Sequence, residues 1–136
     1  MKQKAKLSNQ REEKITAIIL LPEYYNPDEY GRRAKVEEYK FKVTGEEITE
    51  MMIERYGEGG CMLEWEPKKG FWERKGVIYE DDVMALEIDN FPNTDEDKQW
   101  LAQYAQDALC NRFRQEAIMV KFISVVEVLV VDAKKL

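Results

Sequence analysis

The chain has 136 residues, which is the usual size of a single domain. Apolar residues make up 44 % and charged residues 35 %, so the chain is too apolar to be disordered and too charged to be a membrane protein. Its net charge of -6 disfavours general nucleic-acid binding, which needs a positive surface, and we expect neither a nucleic-acid nor a membrane partner.

Histidine is absent from the sequence. This excludes Ser-His-Asp and Cys-His nucleophile pairs, histidine metal ligands and imidazole acid–base catalysis. Cys61 and Cys110 are too few for a structural zinc site and too far apart for a CxxC motif. We expect two free thiols, with one disulfide as the alternative, and no metal or cofactor. The polar N-terminus lacks the apolar stretch of an export signal, which favours a cytoplasmic location.

The pattern divides the chain into a flexible N-terminal arm, residues 1–14, and a single domain, residues 15–132. The domain opens with Ile15–Leu21, a continuous β-branched run typical of a strand that is buried on both faces. Pro22 ends this run, and a polar stretch with turn signals follows. Lys35–Val43 then alternates imperfectly between apolar and polar residues, which favours an edge strand or an extended insertion.

A first helix is predicted over residues 44–56. Thr44 and Glu47 have the spacing of a capping box, in which each side chain binds the other residue's backbone amide. Apolar residues follow at helical spacing: Ile48, Met51, Met52 and Tyr56. Gly57 stands where a left-handed glycine commonly ends a helix.

A hairpin is predicted next. Cys61–Glu66 resembles a strand that Pro67 ends, and residues 68–70 resemble a turn. Residues 71–79 then form the tip and return of the hairpin, and Val83–Ile88 continues the second strand.

A second helix and a final strand complete the domain. Asn93-Thr94 provides the helix cap, and the acidic residues just after it complement the helix dipole. An apolar stripe of period near 3.6 runs from Trp100 to Phe113. Ala117–Val131 is rich in β-branched residues and predicts one long bent strand or two shorter ones.

This order of elements predicts an α+β fold. Two βαβ halves around a central hairpin are the pattern of the ferredoxin-like split βαβ sandwich, an antiparallel sheet with two helices on one face. The chain adds an extra strand or loop insertion near its N-terminus. The other sheet face would be open and apolar, so we expect a homo-oligomer that self-associates through this face.

Several short motifs support a resemblance to known proteins. They are Tyr56-Gly57, Gly59-Gly60-Cys61, Gly70-Phe71-Trp72, Gly76-Val77-Ile78-Tyr79-Glu80-Asp81 and Phe113-Arg114-Gln115-Glu116-Ala117-Ile118. Over residues 15–131 the sequence resembles a group of small bacterial proteins of unknown function with a ferredoxin-like fold. Its layout is also similar to that of the PII-like signalling proteins, which implies a regulatory loop at Glu66–Glu80. The insertion Tyr24–Val43 and the missing phosphate-contacting signatures depart from these patterns and argue against nucleotide sensing.

Two indoles with lysines between them can stack on a planar ligand. The candidate ligand-binding residues are Trp65, Lys69, Trp72 and Arg112. The structural alternative is that one tryptophan covers the open sheet face and the other packs on the hairpin. A run of acidic residues, Glu80-Asp81-Asp82, lacks the spacing of a calcium loop and is better explained as a solvated rim.

The candidate catalytic residues are Arg114 and Glu116, at the junction of the second helix and the last strand. Arg114 can clamp a carboxylate or phosphate, and Glu116 can act as a general base if it is desolvated. Alternatively the two side chains pair with each other. Tyr24, Tyr25 and Tyr30 form an aromatic loop that suits a protein partner or that folds over the core.

Two functions follow from these patterns. The first is a non-enzymatic, oligomeric binding or regulatory module, which the missing catalytic constellation and the apolar sheet favour. The alternative is a small metal-free, histidine-independent enzyme that acts on a small-molecule substrate through Glu116 and Arg114.

Overall fold

The computed structural model describes residues 6–7, 14–57, 62–124, 129–130 and 133. Cys61, most of the predicted N-terminal arm, part of the predicted last strand and the side chain of Trp72 lie outside the described part of the chain. Cys110 carries a free thiol.

Four strands form the main sheet, in the order β3-β4-β2-β5, and every neighbouring pair is antiparallel. A separate pair joins the two ends of the described chain. The strands are β1 (Lys6–Leu7), β2 (Lys14–Pro22), β3 (Met62–Arg74), β4 (Val77–Pro92), β5 (Met119–Ser124) and β6 (Leu129–Val130), with β1 paired to β6.

Two long helices connect these strands. Helix α1 spans Glu38–Tyr56. The second helix consists of α2 (Asp95–Tyr104), one π-helical turn (Ala105–Leu109) and α3 (Cys110–Arg112), which follow one another without a break. The predicted cap is confirmed, because the Thr94 side chain accepts a hydrogen bond from the Asp97 amide.

The main sheet and the two helices confirm the predicted α+β, ferredoxin-like arrangement: β2-α1-β3, then β4, the second helix and β5. Alternate residues of β2 enter one hydrophobic core together with residues from both helices. This core includes Ile15, Ala17, Ile19 and Leu21 of β2, Ile48 and Met52 of α1, and Leu101, Leu109 and Phe113 at the second helix. No helix in the described residues is long and apolar enough to cross a membrane.

The start of the first helix differs from the prediction. Helix α1 begins at Glu38 instead of Thr44, so the edge strand or extended insertion expected over Lys35–Val43 is wrong from Glu38 onward. Phe41 extends the apolar stripe of the helix by two turns and packs in the core, which explains why these residues are helical. Thr44 is no cap, because its hydroxyl donates to the Lys40 carbonyl at 2.6 Å within the helix.

The hairpin also differs from the prediction. Strand β3 continues through Pro67. Proline has no backbone N–H to donate, and an edge strand such as β3 tolerates this because one of its sides pairs with no neighbouring strand. The turn lies at Lys75 and Gly76, not at residues 68–70. Both residues have positive φ, 51° and 79°, as two-residue hairpin turns of type I′ require. Residues 69–82 therefore form a hairpin extension beyond the segment of β4 that pairs with β2.

Candidate functional site: an open sheet face and a corner pocket

The sheet face opposite the helices is apolar along its middle; we call it the open face. Its apolar residues are Ile18, Leu20, Val83, Ala85, Met119 and Ile123, which the strand register places beside one another. Ile18 and Ala85 are buried even in a single chain, whereas Met119 and Ile123 are 59 % and 47 % exposed. The open face thus exposes large apolar side chains to the solvent at β5.

A cavity of about 160 Å³ lies at the end of this face; we call it the corner pocket. The corner pocket lies where β2 ends. The pairing of β2 with its antiparallel neighbours β4 and β5 begins beside that end, so the three strands meet there. Leu20 and Met119 provide an apolar wall, and Asp81 of β4, on the same face as Val83, provides a carboxylate. Gln115, just before β5, also lines the cavity.

The third side of the corner pocket is the loop of residues 23–37, which folds back on itself. The Tyr25 amide donates to the Ala34 carbonyl at 2.9 Å, and the Val36 amide donates to the Glu23 carbonyl at 2.8 Å. Val36 is fully buried and anchors the end of the loop in the core. Asp28 accepts hydrogen bonds from the Arg32 and Tyr30 amides, and these lower the pKa of its carboxyl group.

Three arginines stack on the three tyrosines of this loop. The Arg33 guanidinium carbon lies 5.0 Å from the ring centroid of Tyr24. The Arg114 guanidinium carbon lies 4.4 Å from the ring centroid of Tyr25, and that of Arg32 lies 5.0 Å from the ring of Tyr30. Tyr24, Tyr25 and Arg33 line the corner pocket. Tyr30, in contrast, is 73 % exposed at the tip of the loop.

A polar network holds the hydroxyl group of Tyr25 in place. Its hydroxyl donates to the Glu37 carboxylate and accepts from the Lys40 ammonium group. The Lys40 ammonium also donates to the Arg112 carbonyl at 3.1 Å, which ties the loop to the end of the second helix. The hydrogen bond from Tyr25 lowers the pKa of Glu37 to about 2 and is the largest cause of the raised pKa of Lys40.

Arg112 holds the two helices together. Its guanidinium donates to the Thr44 hydroxyl at 2.8 Å and to the Glu47 carboxylate at 2.6 Å. The Tyr104 hydroxyl donates to the same Glu47 oxygen at 2.9 Å. Burial, followed by this hydrogen bond, raises the pKa of Tyr104 to about 12. The hydrogen bond from Arg112 is the largest cause that lowers the pKa of Glu47.

The four predicted ligand-binding residues are not brought together in one cavity. Trp65 packs on the helix side of the sheet, edge-on against Phe41 with the ring centroids 5.7 Å apart. Lys69 is on the hairpin extension, where its ammonium pairs with Glu80 at 2.9 Å. Arg112 is held between the helices, as described above. Of Trp72 the structure describes the backbone, which pairs with that of Tyr79.

The two predicted catalytic residues lie beside the corner pocket but not in its walls. The Arg114 side chain stacks on Tyr25, and Glu116 is exposed. Tyr25 is almost fully buried, as expected if the aromatic loop folds over the core and not if Tyr25 contacts a protein partner. Arg33, Asn26 and Met119 also line the pocket and were not singled out from the sequence. Within the described residues, no cluster of three or more acidic or cysteine side chains is placed to hold a metal ion.

Comparisons with known proteins reach the level of fold. No family model matches the sequence, and no curated protein matches it. The PII-like protein CutA from Nostoc sp. PCC 7120, in apo form, is similar in structure at 15 % identity and a TM-score of 0.44, covering 82 % of this chain and 81 % of that one. A phage SAM lyase in complex with S-methyl-5′-thioadenosine is similar at 15 % identity and a TM-score of 0.48, covering 96 % and 97 %. The chain is thus similar in fold to PII-like and SAM lyase structures, and no family is assigned to it.

Proposed function

We propose that this protein is a non-enzymatic binding module that self-associates through its open face and holds a small molecule in the corner pocket. The observation that carries this proposal is the position of the pocket. Its apolar wall, Leu20 and Met119, belongs to the open face, so a second copy on that face would lie next to the pocket.

The charges across the open face favour a second copy as its occupant. In one row of the sheet, Lys121 of β5 lies on one side of Ile18, and Glu87 and Glu64 lie on the other. A two-fold axis near Ile18 would place the positive edge of one copy against the negative edge of the other. The exposed apolar side chains Met119 and Ile123 would be buried by the same contact.

Binding is preferred to catalysis because the predicted general base is poorly placed. Glu116 is exposed, whereas a carboxylate that abstracts protons at neutral pH is normally desolvated. The corner pocket instead offers groups that orient a ligand: a guanidinium, a carboxylate and two tyrosines.

Self-association is tested with two matched isoleucine variants. Ile123 on the open face and Ile53 on helix α1 are 47 % and 45 % exposed. We expect the wild-type protein and the Ile53→Glu variant to be multimeric in native mass spectrometry and sedimentation velocity, and the Ile123→Glu variant to dissociate. A monomeric wild-type protein, or equal dissociation of both variants, would contradict the proposed interface.

The non-enzymatic part is tested separately. Native mass spectrometry of gently purified protein reports any retained small molecule together with the number of subunits. The protein is also incubated with S-adenosylmethionine and, in parallel, with S-methyl-5′-thioadenosine, the compounds named with the similar lyase. Turnover proportional to the protein concentration would overturn the non-enzymatic proposal, whereas unchanged compounds would support it.

A further inference from the structure

The walls of the corner pocket differ in charge. The loop side has Arg33, and the Arg114 guanidinium carbon, beside the pocket, lies 4.4 Å from the ring centroid of the lining residue Tyr25. The strand side has Asp81, which the register places on the open face together with Val83. A ligand that satisfies both sides needs an anionic group at one end and hydrogen-bond donors at the other.

The two arginines are held in similar ways. Arg33 stacks on Tyr24, and Arg114 stacks on Tyr25, so adjacent residues of the loop hold both guanidinium groups. Stacking on an aromatic face restricts a guanidinium group while leaving its N–H donors at the edge of the plane. Such donors bind carboxylates and phosphates in pairs, and less conformational freedom is lost when the ligand binds.

The backbone of Arg114 provides an independent observation. Its φ is +51°, a left-handed conformation that side-chain-bearing residues disfavour. Arg114 occupies the position after the second helix where glycine is usual: its amide bonds to the Asn111 carbonyl at 3.3 Å and the Gln115 amide to the Cys110 carbonyl at 2.9 Å. The helix end therefore does not explain why an arginine stands here; its guanidinium lies against Tyr25, beside the pocket.

We propose that the corner pocket binds a small molecule that carries a carboxylate or phosphate group, which Arg33 holds from the wall and Arg114 reaches from beside it, and a hydroxyl group that donates to Asp81. The inference rests on the binding function proposed above but does not require the second copy. Because the cavity is small, about 160 Å³, a hydroxy acid and a sugar phosphate are suitable probes. Because the net charge is -6, general attraction of anions is disfavoured and local arginines must provide it.

The test uses titration calorimetry and thermal shift with four probes: ribose 5-phosphate, ribose, inorganic phosphate and lactate. We expect ribose 5-phosphate or lactate to bind and to raise the melting temperature, and ribose to have no effect. Binding of ribose 5-phosphate identifies a phosphate ester as the ligand class, and binding of lactate identifies a hydroxy carboxylate. If neither binds the wild-type protein, the inference is overturned.

Three arginine variants locate the site. Arg33→Gln and Arg114→Gly should each weaken binding of the responding probe at least tenfold, because each removes charged hydrogen bonds. Arg114→Gly also relieves the left-handed backbone, so the ligand-free variant should melt no earlier than the wild type; lost binding then cannot be attributed to unfolding. Arg32→Gln is the control, because Arg32 stacks on Tyr30 at the exposed tip of the loop and should bind normally.

Further results test this inference and separate it from the proposed self-association. Unchanged affinity in both Arg33→Gln and Arg114→Gly, or equal loss in Arg32→Gln, overturns the inference. Binding by the Ile123→Glu variant after it has dissociated supports the pocket on its own, whatever the oligomeric state. A multimeric protein that binds no probe would overturn the proposed ligand binding in the corner pocket but not the proposed interface.

Discussion

Asp97 is the most buried charged residue of the described chain, with 7 % exposure. Its carboxylate accepts a hydrogen bond from Arg55 at 2.7 Å and others from the hydroxyl groups of Tyr56 and Thr94. Burial alone would raise the pKa of Asp97, but these three hydrogen bonds outweigh it and lower the pKa. Asp97 thus links the end of α1 to the start of the second helix.

We expect Asp97→Asn to lower the free energy of unfolding by about 1–3 kcal/mol, because it removes the charge that Arg55 pairs with in a buried place. Urea denaturation at pH 7 measures the change. Glu96→Gln is the matched control, since Glu96 is the preceding residue, its side chain is 88 % exposed and it lies 4.0 Å from the same arginine. Equal losses in both variants would show that helix-dipole effects, and not the buried pair, are responsible.

Lys40 is a mostly buried cation that ties the loop of residues 23–37 to the end of the second helix. Lys40→Met removes the donor to Tyr25 and to the Arg112 carbonyl, and we expect a loss of about 1–3 kcal/mol in the free energy of unfolding. Lys42→Met is the control, because the Lys42 side chain is 78 % exposed and only approaches Glu46, at 4.0 Å. Hydrogen exchange of the loop amides measures whether the loss begins there. Protection of the Tyr25 amide should fall in the Lys40 variant alone.

At the scale of elements, helix α1 packs closely on strand β3 where Gly45 meets Trp65. A Cβ atom at Gly45 would lie 3.4 Å from the indole nitrogen of Trp65, which is an ordinary contact. Because Gly45 lies inside the helix, Gly45→Ala should raise the free energy of unfolding by about 0.5–1 kcal/mol.

Gly57→Ala is a control for which we expect the opposite change in the free energy of unfolding. Gly57 ends the same helix with φ +85°, a conformation that alanine disfavours, so this variant should be less stable by about 1 kcal/mol. Denaturant midpoints with unchanged slopes measure both effects. A destabilising Gly45→Ala would mean that Trp65 cannot shift and that the contact is tighter than a simple van der Waals contact.

The elements were largely predictable, and the errors have physical causes. The core strand β2 and the cap at Thr94 follow from local patterns and are confirmed. The start of α1 was missed because Thr44 and Glu47 imitate a capping box, while their side chains in fact bind Lys40 and Arg112. The stripe that begins at Phe41 is the signal that would have corrected it. The turn was misplaced because Pro67 ends an interior strand but not an edge strand.

At the scale of the whole molecule, the corner pocket depends on topology. Tyr25, Asp81 and Gln115 are far apart in sequence and belong to separate local patterns, and the sheet order brings them together. The predicted fold places the end of β2 between the beginnings of β4 and β5, so the meeting point could have been inferred. The contacts of Arg112 could not be inferred from the sequence, because only the packing of the two helices shows that its N–H groups donate to Thr44 and Glu47.

The composition also determines how the stability of the whole molecule depends on pH. Without histidine, no imidazole titrates, and we expect a flat stability profile between about pH 5 and pH 8. Above about pH 10 stability should fall, because the pKa of Tyr104 is raised to about 12 in the folded state and the unfolded chain loses this proton first.

The acid side depends on carboxylates whose pKa is lowered by folding, among them Glu37, with a pKa of about 2. The unfolded state binds more protons between that pH and about 4.3, the ordinary pKa of glutamate. The stabilisation by Glu37 is therefore complete above about pH 5 and is lost as the pH falls through about 2. Urea denaturation at several pH values should show a steep loss of stability below pH 4.5.

Glu37→Gln tests whether this loss of stability in acid arises in the loop that forms the corner pocket. We expect the wild type to be more stable than the variant at pH 7, and the difference to shrink towards zero at about pH 2, because Tyr25 then donates to a neutral group in both proteins. Glu38→Gln removes one negative charge at the next residue and controls for net charge. If the wild type remained more stable than the variant by the same amount from pH 7 to pH 2, other carboxylates, and not Glu37 in the loop, would cause the loss of stability in acid.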